Sequence, residues 1–133
     1  ETLEIILDVL GTNFSDFFHE DKEERIIFTE EEQYTKEFEG YEQTWLVPTS
    51  QEHALEPILV VISPHKNTIH DYPHPGEEFG YVIEGEVIVH YGNIKRICKR
   101  GESFYITTNS THYLENTTDY PAKLVWVSTP PNF

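Results

Sequence analysis

Two stretches of this chain carry side chains that can bind a metal ion or a polar ligand. The first is Tyr72-Pro73-His74-Pro75-Gly76-Glu77-Glu78-Phe79-Gly80-Tyr81-Val82-Ile83-Glu84-Gly85, in which His74 stands four residues before Glu78. An imidazole nitrogen and a carboxylate oxygen together suit Zn, Mn, Fe or Ni. The second runs from Gly101 to Asn116, with His112 eleven residues after Gly101 and four before Asn116. If the two stretches face each other, His74, Glu78 and His112 converge. Each also has a plainer reading. Either histidine can be a hydrogen-bonded interior residue, and Glu78 can be a solvated acid beside Glu77. Neighbours on a strand point to opposite faces, so one of Glu77 and Glu78 turns inward. An inward carboxylate is costly unless a cation or a hydrogen bond meets it. Tyr72, two residues from His74, shares its face if the stretch is extended. It then either lines the pocket or covers its rim.

The elements that must hold these residues read as strands. Arg25–Thr29, Tyr34–Phe38, Thr44–Val47, Leu55–Ile62, Glu78–Glu84, Glu86–Tyr91, Ile94–Cys98, Ser103–Thr107, His112–Asn116 and Ala122–Thr129 are rich in β-branched and aromatic residues. Turn signals separate them at Glu84-Gly85, Gly92-Asn93, Arg100-Gly101 and Asp119-Tyr120-Pro121. The stretch from Ser63 to Gly76 reads as a long loop. Runs such as Val87-Ile88-Val89 and Val125-Trp126-Val127 predict burial on both faces and hence a homodimer. Only the start has a helical period: Leu3, Ile6 and Leu10, with Thr2 to cap it and Gly11 to end it.

The chain has 133 residues, enough for one domain, and a formal net charge of −15. Residues 1–42 carry −11 of it and residues 43–133 carry −4. That balance argues against this segment gripping nucleic acid or an anionic membrane by itself. A single cysteine, Cys98, excludes an internal disulfide and predicts a reducing, cytoplasmic setting. No apolar run is long enough to span a bilayer. The sequence holds no methionine and starts at Glu1, which predicts that an N-terminal portion precedes it. His19, His53, His65 and His90 match no motif position, and Cys98 reads either as a strand filler or as a thiol activated by Lys99 and Arg100.

The two stretches resemble the two motifs of the cupin superfamily. In the first motif, G-x5-H-x-H-x3,4-E-x6-G, this chain matches the second half with His74, Glu78 and Gly85. Tyr72 stands where the family has its first metal histidine, and His70 lies two residues too early. In the second motif, G-x5-P-x-G-x2-H-x3-N, Gly101, His112 and Asn116 are in register, while Thr107 and Asn109 replace the proline and glycine. The resemblance covers about residues 55–133 and implies a mainly β fold, the cupin double-stranded β-helix or jelly-roll barrel. It also implies a structural role for Asn116. The stretch Glu1 to Phe18 is similar to the closing part of an XRE-type helix-turn-helix domain, through Thr2, Leu3, Ile6, Leu10, Gly11, Phe17 and Phe18.

Together the resemblances imply a bacterial transcriptional regulator with a DNA-reading head and a cupin sensor. The implied organisation is 1–18 as the end of a helix-turn-helix domain, 19–24 as a connector, and 25–133 as the cupin barrel with its motifs within 72–116. The implied partners are a second copy of the chain, operator DNA met through an upstream domain, and a small effector such as an amine or amino acid. The expected ligand-binding residues are Tyr72, His74, Glu78 and His112. No cofactor is required, but His74, Glu78 and His112 would hold a divalent metal (Zn, Mn, Fe or Ni) if one binds. The alternative is a metal-dependent cupin oxygenase, isomerase or lyase.

Overall fold

The computed structural model describes residues 25–133. The helical segment and connector expected over residues 1–24 lie outside the described residues. Alternation of apolar and polar side chains organises the rest. Nine strands form: β1 (Tyr34–Phe38), β2 (Tyr41–Trp45), β3 (Glu56–Ile62), β4 (Glu77–Glu84), β5 (Glu86–Tyr91), β6 (Ile94–Lys99), β7 (Ser103–Thr107), β8 (His112–Glu115) and β9 (Ala122–Thr129). The only helical turn among the described residues is a 3-10 turn at Ser50–Glu52.

A six-stranded antiparallel sheet has the order β1-β2-β3-β9-β4-β7, and a three-stranded sheet has the order β6-β5-β8. Their inner faces share one core, built by Ile58, Val60, Ile62, Val82, Val87, Leu114, Leu124 and Trp126. The segment before β4 adds to the smaller sheet, since Asn67 bridges Glu115 and Asp71 bridges His112. The barrel has a polar end. Across β3, β9 and β4 one register row runs Glu56, Ser128, Glu78, and all three side chains point inward and are buried. The next row, Ile58, Trp126 and Gly80, is apolar. The site forms at the polar end.

Three expectations need correction. Arg25–Thr29 is not a strand: it pairs with no strand among the described residues, and Ile26 and Ile27 are 78% and 70% exposed. The Glu32 carboxylate takes the Thr29 N–H and hydroxyl, so a local turn forms before β1 instead of a ladder. The second strand starts at Tyr41 rather than Thr44, because Gly40, at φ +87°, closes a tight hairpin with β1. The two-faced runs are also buried on one face only: Val87, Val89 and Trp126 are buried, whereas Ile88, Val125 and Val127 are half-buried. Cys98 is buried, and burial with Glu102 nearby pushes its thiol up, the direction opposite to activation by Lys99 and Arg100.

Candidate metal and ligand site

The ligand atoms of Asp71, His74, Glu78 and His112 all lie within 4.8 Å of one another. Separate backbone devices place them. Glu78 is the second residue of β4, and strand alternation turns it inward while Glu77 faces out. His112 opens β8, also inward. His74 is fixed to the opposite loop by its N–H on the Thr108 carbonyl (2.8 Å) and by the Thr108 hydroxyl on its own carbonyl (2.8 Å). Asp71 is drawn in by reciprocal backbone bonds with His112, at 2.8 and 3.0 Å.

Glu78 is the hub. It is 1% exposed. Trp126 Nε1 donates to Oε1 at 2.9 Å. Oε2 lies 3.3 Å from His74 Nε2 and 3.2 Å from His112 Nε2. His112 Nε2 is also 3.5 Å from Asp71 Oδ2. The His112 Nδ1 lies 2.9 Å from the Ser110 carbonyl, so it carries the proton there and turns Nε2 to the cluster. Burial pulls the His112 pKa down, but the Asp71 and Glu78 carboxylates and the Ser110 carbonyl outweigh it, and it is pushed up to about 10.

Two imidazoles and two carboxylates form a donor set that suits Zn, Mn, Fe or Ni. Bonds of about 2.1 Å to such a metal put neighbouring ligand atoms roughly 3.0–3.4 Å apart, close to the three short separations here. The Ser110 and Trp126 contacts orient a ring and a carboxylate from behind, as metal ligands require. The residues therefore fit a divalent cation.

The structure brings His74, Glu78 and His112 together. It does not bring Tyr72, which is 81% exposed and lines neither the cluster nor the cavity beside it. His70 also stays out, stacked on the Tyr113 ring at 3.8 Å between centroids. Asp71, between them, supplies the fourth corner; the sequence reading missed it. Asn116 spends its amide on the Ile62, Ser63 and Tyr120 carbonyls, a structural use. His65 pairs with Asp119 and His90 with Glu115, both away from the cluster.

Beside the cluster, a cavity of about 340 Å³ is walled by Tyr41, Trp45, Trp126 and Phe133, with Lys36 and Asp71 supplying one charge of each sign. A more open cleft of about 600 Å³ lies between β6 and β7, and none of the four donors lines it.

Three similarities bear on this geometry. The HTH-type transcriptional regulator PuuR of Escherichia coli is 25% identical over 135 residues, spanning 99% of this chain and 73% of that protein. The cupin domain of an XRE family transcriptional regulator from Enterobacter cloacae superimposes with a TM-score of 0.63 at 16% identity, covering 70% of this chain and 99% of that one. Hydroxypropylphosphonic acid epoxidase from S. wedmorenis superimposes with a TM-score of 0.68 at 24% identity, covering 94% of this chain and 72% of that one. The two structural likenesses concern the fold. Residues 58–128, which include all four clustered donors and most of the strands, match the cupin domain family, and the chain belongs to that family.

Proposed function

We propose that this chain is the ligand-sensing and dimerising part of a DNA-binding transcriptional regulator, with its effector bound at the polar end of the barrel beside Asp71, His74, Glu78 and His112. The observation that carries this reading is the alignment with the regulator PuuR, which runs over 99% of this chain. The cavity suggests the effector class. An ammonium group would sit between the Asp71 carboxylate and the aromatic faces of Tyr41 and Trp45, where cation–π attraction adds to charge pairing. An amino acid would also offer its carboxylate to Lys36. Operator DNA would be met through another domain, since a chain of net charge −15 repels phosphates. Binding changes DNA affinity only through a difference in effector affinity between two arrangements of the dimer. Such a regulator works in the cytoplasm.

A second reading is favoured by the four convergent donors: a metal-dependent cupin oxygenase, isomerase or lyase. Asp71, His74, Glu78 and His112 would hold the ion, which when bound acts as a Lewis acid. Metal analysis of protein purified without chelators, together with operator binding by the intact regulator with and without amines, separates the two. An effector-dependent change in operator affinity supports the sensor. Near-stoichiometric Fe, Mn or Ni with catalytic turnover supports the enzyme.

A further inference from the structure

Glu56 is a fully buried carboxylate, at 0% exposure, that no catalytic or sensing role above uses. Among the described residues no cation pairs with it. The backbone N–H groups of Asn132 and Phe133 both donate to its Oε1 at 2.6 Å. Trp45 Nε1 donates to Oε2 at 2.9 Å, and the Gln51 amide donates to the same oxygen. Two successive backbone amides on one buried oxygen form a latch on the segment after β9. That segment, Pro130–Phe133, crosses the polar end of the barrel. The Ser128 hydroxyl holds the Pro130 carbonyl at 2.8 Å. The Phe133 ring rests 5.0 Å from that of Trp126, the residue that orients Glu78.

The latch delivers one side chain into the cluster: Asn132 Nδ2 lies 3.1 Å from His74 Nε2. The His74 Nδ1 faces the Pro75 carbonyl at 3.3 Å, and Nε2 meets both Glu78 Oε2 at 3.3 Å and the Asn132 amide. A ring nitrogen bonds along a single in-plane direction, so a metal or ligand atom on Nε2 must displace that amide. Asn132 and Phe133 also wall the 340 Å³ cavity, so whatever moves them enlarges it.

We propose that the 130–133 strap is an internal occupant of the site, in which Asn132 blocks His74 and Glu56 is the positioning residue that latches the strap. Binding at His74 requires Asn132 to leave, and this couples site occupancy to release of the strap. The proposal rests on the reading that the Asp71–His74–Glu78–His112 cluster binds a ligand.

Zn(II) is the probe, titrated calorimetrically into the 133-residue chain, its Asn132→Ala and Glu56→Gln variants, with thermal melting to confirm folding. Asn132→Ala should bind Zn(II) roughly three- to tenfold more tightly than wild type, the equivalent of one hydrogen bond no longer in competition. Glu56→Gln should shift affinity in the same direction. A merely structural role would not raise affinity. The only two tryptophans, Trp45 and Trp126, both touch the latch, so wild-type emission should change on Zn(II) addition. Equal or weaker Zn(II) binding by Asn132→Ala, with wild type binding normally, overturns the strap and leaves the site standing. No Zn(II) binding by any of the three proteins overturns both.

Discussion

At the scale of single residues, both oxygens of Glu78 are committed, one to Trp126 and the other to the two histidines. Trp126→Phe keeps the ring in the core but removes the N–H. Zn(II) affinity should fall about 10- to 100-fold, as when a second partner of a metal ligand is lost, and a calorimetric titration beside a thermal melt checks this. Unchanged affinity would show that the Trp126 N–H does not orient Glu78 for the metal. His112→Ala removes the ring that meets the Glu78 and Asp71 carboxylates, so it should lower the melting temperature and, through Asp71, weaken effector binding roughly 5- to 150-fold, the equivalent of about 1–3 kcal/mol for a buried polar contact. His74, Glu78 and His112 were legible in the sequence because strand alternation and motif spacing fix where they point. Asp71 was not. Its place comes from backbone pairing of the 67–71 segment with β8, a long-range contact that leaves no period in a loop rich in proline. Tyr72 occupies the motif position, but the same pairing turns Asp71 inward and Tyr72 outward.

At the scale of elements, the turn into β4 is the tightest part of the site. Gly76 has φ +131°, and a Cβ there would lie 2.4 Å from the Thr129 carbonyl oxygen. Gly76→Ala must strain the backbone and push β9 away, at a cost of about 1–3 kcal/mol. Because His74 and Glu78 flank it, Zn(II) affinity should fall together with the melting temperature. Gly101→Ala is the control: φ is +84°, but nothing lies within 4 Å, so only backbone strain of about 1 kcal/mol is expected and the site should be spared. Equal losses in the two variants would contradict the close approach. The strands around this turn were readable to the residue at Glu86–Tyr91, Ser103–Thr107 and Ala122–Thr129, where alternation and turn residues agree. Arg25–Thr29 has the composition of a strand and no ladder partner among the described residues. Composition reports the tendency to pair, and a partner strand decides whether pairing happens.

At the scale of the whole molecule, the outer face of the six-stranded sheet carries Phe79, Tyr81 and Tyr105 at 38%, 44% and 64% exposure, beside half-buried Val125 and Val127. Tyr81 and Val125 are cross-strand partners. An exposed apolar face of this kind suits a protein interface, and the sensor reading proposes a second copy as its partner. Sedimentation equilibrium should find a dimer at micromolar concentration and a monomer for the Tyr81→Glu, Val125→Glu double variant; a monomeric wild type contradicts it. Alone, the 133-residue chain should give no shift with operator DNA. The sensor reading requires that the polar end of the barrel bind an effector. It is tested most directly by titrating glycine, lysine and n-butylamine calorimetrically into the wild-type chain and into His112→Ala. At least one of them should bind wild type saturably, with affinity weakened at least fivefold by His112→Ala. Binding that His112→Ala leaves untouched, or no binding of any amine beside a stoichiometric metal and turnover, would contradict it.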